Sequence, residues 1–393
     1  MGSSYIVAAK RTPIGKFLGS LANVPAPKMA AEVIRALLAE ANVSGEEVDE
    51  VILGNVLSAG IGQAPARQAA LGAGIPSSVA ALTVNKVCGS GLKAVMLADQ
   101  AIRAGDARLI VAGGMESMSQ APHLLLGARA GWKYGPQQVL DSLQFDGLTC
   151  ASENVAMGCL ADQTALEKLV SREQQDAFAV ESHRRALEAA DAGRFASEIV
   201  PLRVKSGKSE IVVERDEGPR PSTTAADLAR IRPAFGSEGT ATAGNASQIS
   251  DGAAAVLVAD EASAREINSP LKARIVASTT SGLDPRHLFL APIPAIESVA
   301  RKAGLKLSEI ELFELNEAFA SQCLACAQAL EIPHDKLNVN GGAIAIGHPI
   351  GASGARVLVT LLHALQQRNL KRGLAALCLG GGNAVAMIVE RDA

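Results

Sequence analysis

Three features of the 393-residue chain predict an α/β fold made of two similar halves, the first interrupted by an inserted cap. First, short apolar runs that read as buried strands alternate with amphipathic helical runs, the rhythm of a sheet covered by helices. Second, the rhythm recurs. Ala41-Asn42-Val43 followed by Glu47-Val48-Asp49-Glu50-Val51 resembles Ala303-Gly304-Leu305 followed by Glu309-Ile310-Glu311-Leu312-Phe313. In each, a helix end leads through an acidic turn into a buried strand. Likewise Leu109-Ile110-Val111-Ala112-Gly113-Gly114 resembles Ala376-Leu377-Cys378-Leu379-Gly380-Gly381. A period this long suits a duplicated domain rather than a solenoid. Third, the rhythm breaks between about Ser119 and Ala246, a stretch with the single tryptophan, Trp132, and long polar helices. The expected division is 1–118 plus 250–270 for the first half, 119–249 for the cap and 271–393 for the second half.

The elements follow in order. Residues 4–8 read as a buried strand. Residues 27–40 read as a helix with Met29, Val33, Ala36 and Leu37 on one face. Residues 51–53 and 109–112 are strands, and 92–104 is a helix between them. In the cap, 171–190 is a helix opened by Ser171-Arg172-Glu173-Gln174 in the manner of a capping box. Residues 215–221 form a loop. Helical runs at 318–330 and 355–367 belong to the second half.

Composition narrows the function classes. Hydrophobic residues make up 48% and charged residues 20%, the balance of a soluble globular enzyme. Aromatic residues are only 3% and glycines number 37, so the core must be aliphatic with close backbone approaches. A net charge of −3 without a basic stripe argues against a nucleic-acid partner. The six cysteines lack a disulfide-framework pattern and read as reduced thiols of a cytoplasmic protein. The start of the chain lacks an apolar signal region, and no apolar run is long enough to span a bilayer.

Two cysteines and one histidine stand beside glycines. Cys88, in Val87-Cys88-Gly89-Ser90-Gly91-Leu92, sits at a glycine-rich helix entry, where the dipole favours a thiolate. Cys378 ends a core strand, followed by Gly380, Gly381 and Gly382, whose N–H groups are open to an oxyanion. His348, in Gly347-His348-Pro349, precedes a helix whose dipole opposes the imidazolium, leaving a neutral base. Its segment lacks the Gly-Lys-Ser/Thr ending of a nucleotide loop. Asn316 lies at a strand-to-helix passage, as a helix N-cap, as an amide that orients a water or substrate oxygen, or as both. Cys323 and Cys326 have CxxC spacing in a helical run without a second pair, and read as packing positions rather than zinc ligands. No metal site is expected.

The motifs Asn85-Lys86-Val87-Cys88-Gly89-Ser90-Gly91, Gly113-Gly114-Met115-Glu116-Ser117-Met118-Ser119, Asn316-Glu317-Ala318-Phe319, Gly347-His348-Pro349 and Cys378-Leu379-Gly380-Gly381-Gly382 resemble the thiolase family, over almost the whole chain. The acetyl-CoA acetyltransferases are the most similar branch. The resemblance implies a thiolase-like fold with αβαβα layers. It implies a reversible Claisen condensation of two acetyl-CoA to acetoacetyl-CoA and CoA, without a cofactor. Cys88 would carry the acetyl group. His348 would activate Cys88 and help bind the second thioester oxygen. Cys378 would move the α-proton, and Asn316 would hold a water. The N–H groups of Cys88 and Gly380 would form an oxyanion hole. Ser247 and Arg220 would contact coenzyme A, and Met157, Ala318 and Phe319 would line the substrate pocket. Residues 124–143 resemble the loop that ties family dimers into tetramers, so a homo-oligomer is expected. Two positions depart from the family: Ala156 replaces a histidine before Met157-Gly158, and Asn383-Ala384 replaces Met-Gly. Both bear on chain length, and a degradative 3-ketoacyl-CoA thiolase is the alternative.

Overall fold

The duplicated segments fold into two equivalent runs of secondary structure in the computed structural model, which describes residues 2–391. The first run comprises β1 (Ser4–Arg11), the short β2 (Gly15–Lys16), α1 (Ala26–Ala41), β3 (Glu50–Gly54), α2 (Pro65–Gly72), β4 (Ala80–Val84), α3 (Ser90–Ala104) and β5 (Leu109–Ser117). The inserted segment holds the strand pair β6 (His123–Leu124) and β7 (Leu140–Asp141), then β8 (Thr149–Cys150) and β9 (Val155–Ala156). It continues through α4 (Met157–Glu167), α5 (Arg172–Asp191), the hairpin β10 (Leu202–Ser206) and β11 (Ser209–Val213), and the short α6 (Ala225–Ala229). β12 (Ser250–Asp260) returns the chain to the first half, and α7 (Glu261–Glu266) leads out of it. The second run comprises β13 (Ala273–Gly282), α8 (Pro292–Ala303), β14 (Leu312–Leu315), α9 (Ala320–Ala329), α10 (Ser353–Gln367), β15 (Arg372–Leu379) and β16 (Asn383–Arg391).

The strands lie in the order β4-β3-β5-β12-β1-β13-β16-β15-β14, with β2 beside β12. The halves mirror each other about the β1–β13 join. β3 is parallel to both β4 and β5, as β14 is to β15, and the remaining neighbours in each half are antiparallel. Even the register shifts match, between Ile6 and Ala8 and between Ile275 and Ala277. The acidic turns repeat as well. The Asp49 carboxylate accepts from the N–H groups of Arg108 and Leu109, and Glu311 accepts from those of Lys371 and Arg372. These bonds pin the start of the neighbouring strand, so Leu109 corresponds to Arg372. The sequence match of Leu109 with Ala376 is therefore out of register, and Gly380 to Gly382 lie beyond β15 rather than at the place of Gly113 and Gly114.

Strand alternation explains the layers. Val51, Leu53, Val111 and Leu257 point to Met29, Val33 and Leu37 of α1, on the outer face of the first half. Ile52, Ile110 and Val258 point the other way, to Leu92 and Val95 of α3. α10 lies beside α3 and supplies Val357, Leu358 and Leu361 to the same core, and α8 covers the second half from outside. The result is the αβαβα stack, with α3 and α10 in the central layer. α5 begins with the capping box read from its sequence: Ser171 Oγ accepts from Gln174 N, and Gln174 Oε1 accepts from Ser171 N at 2.8 Å. The inserted segment is tied down by the fully buried Arg11, which bonds Glu198 at 2.6 Å and forks onto Asp216 at 2.6 and 2.9 Å.

The central helices touch through glycines in their first turns. A Cβ on Gly91 would lie 2.7 Å from the Ala355 amide nitrogen, and one on Gly354 would collide with the amide nitrogen of Leu92. Neither neighbour is a flexible side-chain end, so the backbones must part to admit a methyl. Gly354→Ala is expected to lower unfolding free energy by about 1–3 kcal/mol or more. Gly236→Ala, with no atom within 4 Å of the added methyl, is the neutral control in denaturant titrations. Equal midpoints for the two variants would contradict this packing.

Candidate active site

The turn into α3 presents Cys88. Val87 stands at φ +47°, a strained value for a β-branched residue, so the chain bends sharply just before the cysteine. Ser90 holds the bend: its hydroxyl accepts from Lys86 N at 2.8 Å and donates to Val87 O at 2.6 Å. Gly89 permits the loop to rest on the end of β15, since a Cβ there would lie 2.5 Å from Leu379 Cδ2. Cys378 precedes Leu379 in that strand, and Gly380 follows it.

The loop before α10 presents His348. Gly347 has φ +121°, and a side chain on it would strike Ser250 and Ile14. The His348 N–H donates to Gln248 O at 3.0 Å and to Ser250 Oγ at 3.2 Å. Its Nδ1 lies 2.6 Å from Ser353 Oγ. The loop is also braced from the first half. Fully buried Glu116 accepts from Gly351 N at 3.0 Å, and from Val56 N, Leu57 N and Asn55 Nδ2.

These loops meet the inserted segment around one cavity of about 730 Å³. Cys88, His348, Cys378 and Gly380 line it, together with Met157, Arg220, Ser247, Ala318 and Phe319. The Phe319 ring is edge-on to Phe289 and Phe235, with centroids 5.3 and 6.1 Å away, which makes an aromatic wall. Asn316 is placed differently. It follows β14, is 1% exposed and stands behind the cavity wall, and both of its amide atoms lack a protein hydrogen-bond partner. The reading of Asn316 as a helix N-cap is overturned, because α9 begins at Ala320 and Phe319 occupies its cap position.

Burial dominates the electrostatics. It pushes the Cys88 thiol up to about 11, and the negative charge of Glu116 acts in the same direction. Hydrogen bonds from the N–H groups of Gly380 and of Cys88 itself offset this in part. The thiolate expected from the helix entry is therefore corrected: desolvation outweighs these hydrogen bonds. Burial, followed by the influence of Cys88, holds Cys378 well above the ordinary thiol range. His348 is driven down to about 3 by burial and by the Arg356 charge, so its imidazole is neutral at pH 7. The site thus sets two protonated thiols and one neutral base in a single cavity. Two N–H groups converge on the first sulfur, where an oxyanion would form on its acyl adduct.

The remaining candidates pack. Cys323 and Cys326 are fully buried in α9. His363 bonds Ala9 O and Ser197 Oγ, and His183 Nδ1 accepts from Arg220 N at 3.1 Å. Sequence reading gave no part to Glu116, Gln248, Ser250 or Ser353. Glu116 lies within one of the family-like motifs, and Ser353 opens the helix after His348, but their bonds cross between segments distant in sequence or turn back into the preceding loop.

Because Cys88 is protonated at neutral pH, alkylation of the free protein by iodoacetamide should follow the thiolate fraction. That fraction is about 10⁻⁴ at pH 7 and rises roughly tenfold per pH unit up to the thiol pKa. Rates measured from pH 7 to 10 by peptide mapping should climb without a plateau. A plateau near pH 7 would mean a standing thiolate.

Comparisons with known proteins agree with this geometry. Residues 4–262 match the thiolase N-terminal domain, and residues 269–391 match the thiolase C-terminal domain. The chain is 51% identical over 393 residues to the acetyl-CoA acetyltransferase of Pseudomonas aeruginosa, covering 100% of both chains. It is 50% identical over 392 residues to that of Escherichia coli, again covering 100% of both. The crystal structure of the Bacillus anthracis acetyl-CoA acetyltransferase superposes with a TM-score of 0.97 at 39% identity, covering 100% of this chain and 99% of that one. With both domains matched, and with half of its residues shared along its full length with such relatives, the chain belongs to the thiolase family.

Proposed function

We propose that this thiolase is an acetyl-CoA C-acetyltransferase, which joins two acetyl-CoA molecules reversibly into acetoacetyl-CoA and CoA. The observation that carries the reading is the convergence of Cys88, His348 and Cys378 on one cavity that Gly380 also lines. The names of the full-length relatives support the same activity.

The chemistry follows from the protonation states. His348 takes the Cys88 proton as the sulfur attacks the thioester carbonyl, so no standing thiolate is needed. The charge that develops on oxygen is met by the N–H groups of Cys88 and Gly380. CoA departs with the proton, leaving acetyl-Cys88. Cys378 then passes its own proton to His348, and a second acetyl-CoA loses an α-proton to the Cys378 thiolate. The resulting carbanion attacks the acetyl carbon, a C–C bond forms, the C–S bond breaks and Cys88 regains a proton from His348. A thiol as hard to ionise as Cys378 is a strong base once its own proton has passed on, which suits a weakly acidic carbon. His348 and a water held by Asn316 serve the second thioester oxygen. Arg220 and Ser247 contact the coenzyme, and Met157, Ala318 and Phe319 confine the acyl end. The reaction as written calls for no metal or cofactor.

A degradative 3-ketoacyl-CoA thiolase is the second reading. It is favoured by Ala156, which lines the cavity where the family resemblance implies a histidine and so leaves room for a longer chain. The exposed Leu125, Leu126, Trp132, Tyr134 and Val139, all in residues 124–143, suit a subunit interface, and we infer a homo-oligomer, dimer or tetramer. A cytoplasmic location fits the free thiols. Among the described residues, no helix is long and apolar enough to cross a membrane.

Incubation with acetyl-CoA followed by intact-mass measurement should give one acetyl adduct in the wild type and none in Cys88→Ala. Cys378→Ala should still acetylate but lose condensation by about 10²-fold or more, and His348→Ala should lose both steps by similar factors. Thiolysis rates across 3-ketoacyl-CoA chain lengths should peak at acetoacetyl-CoA. A peak at longer chains would select the degradative reading, and no adduct at Cys88 would refute both.

A further inference from the structure

We propose that Ser353 is a positioning residue that sets the tautomer of His348. This rests on the acyl-transfer reading, in which a bare imidazole nitrogen must face Cys88. Ser353 is the first residue of α10 and is fully buried, so its hydroxyl has only protein partners. Two are in reach. The hydroxyl lies 2.8 Å from Pro349 O, four residues back, and 2.6 Å from His348 Nδ1. A carbonyl oxygen can only accept, and back-bonding of a helical serine to the carbonyl four residues earlier is a common pattern. The hydroxyl proton therefore goes to Pro349 O. The serine oxygen is left to accept, and Nδ1 must carry the imidazole proton.

The consequence lies at the far side of the ring. With Nδ1 protonated and tied to α10, Nε2 keeps its lone pair and is the edge left for the cavity that His348 shares with Cys88. The backbone of His348 is held independently by Gln248 O and Ser250 Oγ. Ring orientation and backbone position thus have separate anchors, and removing the serine hydroxyl frees the ring without releasing the loop. Such a partner ordinarily fixes both the tautomer and the direction of a working histidine.

The test is nitrogen NMR of protein labelled with ¹⁵N-histidine, with His348→Asn used to assign the His348 signals. At pH 7 the wild type should show a protonated Nδ1 and a bare Nε2. In Ser353→Ala the two nitrogens should move toward a common average. The acetylation rate of Cys88 should fall about 10- to 100-fold while the KM for acetyl-CoA stays within about 2-fold. Ser353→Thr, which keeps the hydroxyl, should retain both spectrum and rate. A wild-type spectrum with the proton on Nε2 would overturn the proposal even if neither variant folds. So would a Ser353→Ala protein with unchanged spectrum and rate. A wild type that shows the expected tautomer but no acetyl adduct would instead remove the acyl-transfer reading.

Discussion

The arrangement of the cavity depends on how closely two helices can meet. Gly91 and Gly354 lie in the first turns of α3 and α10, and their missing side chains let each helix rest on the backbone of the other. Cys88 stands just ahead of one helix and His348 just ahead of the other. A glycine contact in the central layer therefore fixes the approach of two loops that are some of the most distant parts of the sequence. Glu116 adds a polar tie from the first half to the loop of the second, through Gly351. Strand β15 completes the set, because Leu379 fills the space left by Gly89 and so seats Cys378 and Gly380 beside Cys88.

Burial around the cavity decides the protonation states. Both thiols are held in the neutral form and the imidazole is held unprotonated. The N–H groups of Cys88 and Gly380 favour a charged Cys88 sulfur, yet desolvation is the larger effect. Activation then has to occur during the reaction, by proton transfer to a base already in place, and charge has to be met by fixed N–H groups as it forms. A site built this way holds no reactive thiolate while idle, and it depends on the tautomer of one histidine.

Much of this was legible in the sequence. The paired acidic turns at Asp49 and Glu311 predicted the duplication, and both proved to anchor strands through the same bonds. The capping box at Ser171 placed the start of α5. Glycines beside Cys88, His348 and Cys378 marked the loops that converge. Three things were not legible. The register between the halves was misjudged because Gly113-Gly114 and Gly380-Gly381 look alike, although the first pair lies inside a strand and the second in a turn. The state of Cys88 was misjudged because burial is a property of the folded surroundings rather than of the helix entry. The part of Glu116 was missed because its bonds run to loops distant in sequence, and that of Ser353 because spacing does not show that a serine opening a helix turns its hydroxyl back to the preceding loop.

The central claim is a division of labour between two neutral thiols in one cavity. The most direct test is exchange of the α-protons of acetyl-CoA with deuterated solvent, followed by mass spectrometry in the wild type, Cys88→Ala and Cys378→Ala. The account predicts exchange in the wild type and its loss in Cys378→Ala, even though that variant still takes an acetyl group onto Cys88. Exchange at the wild-type rate in Cys378→Ala would contradict the account and leave the α-proton to another base.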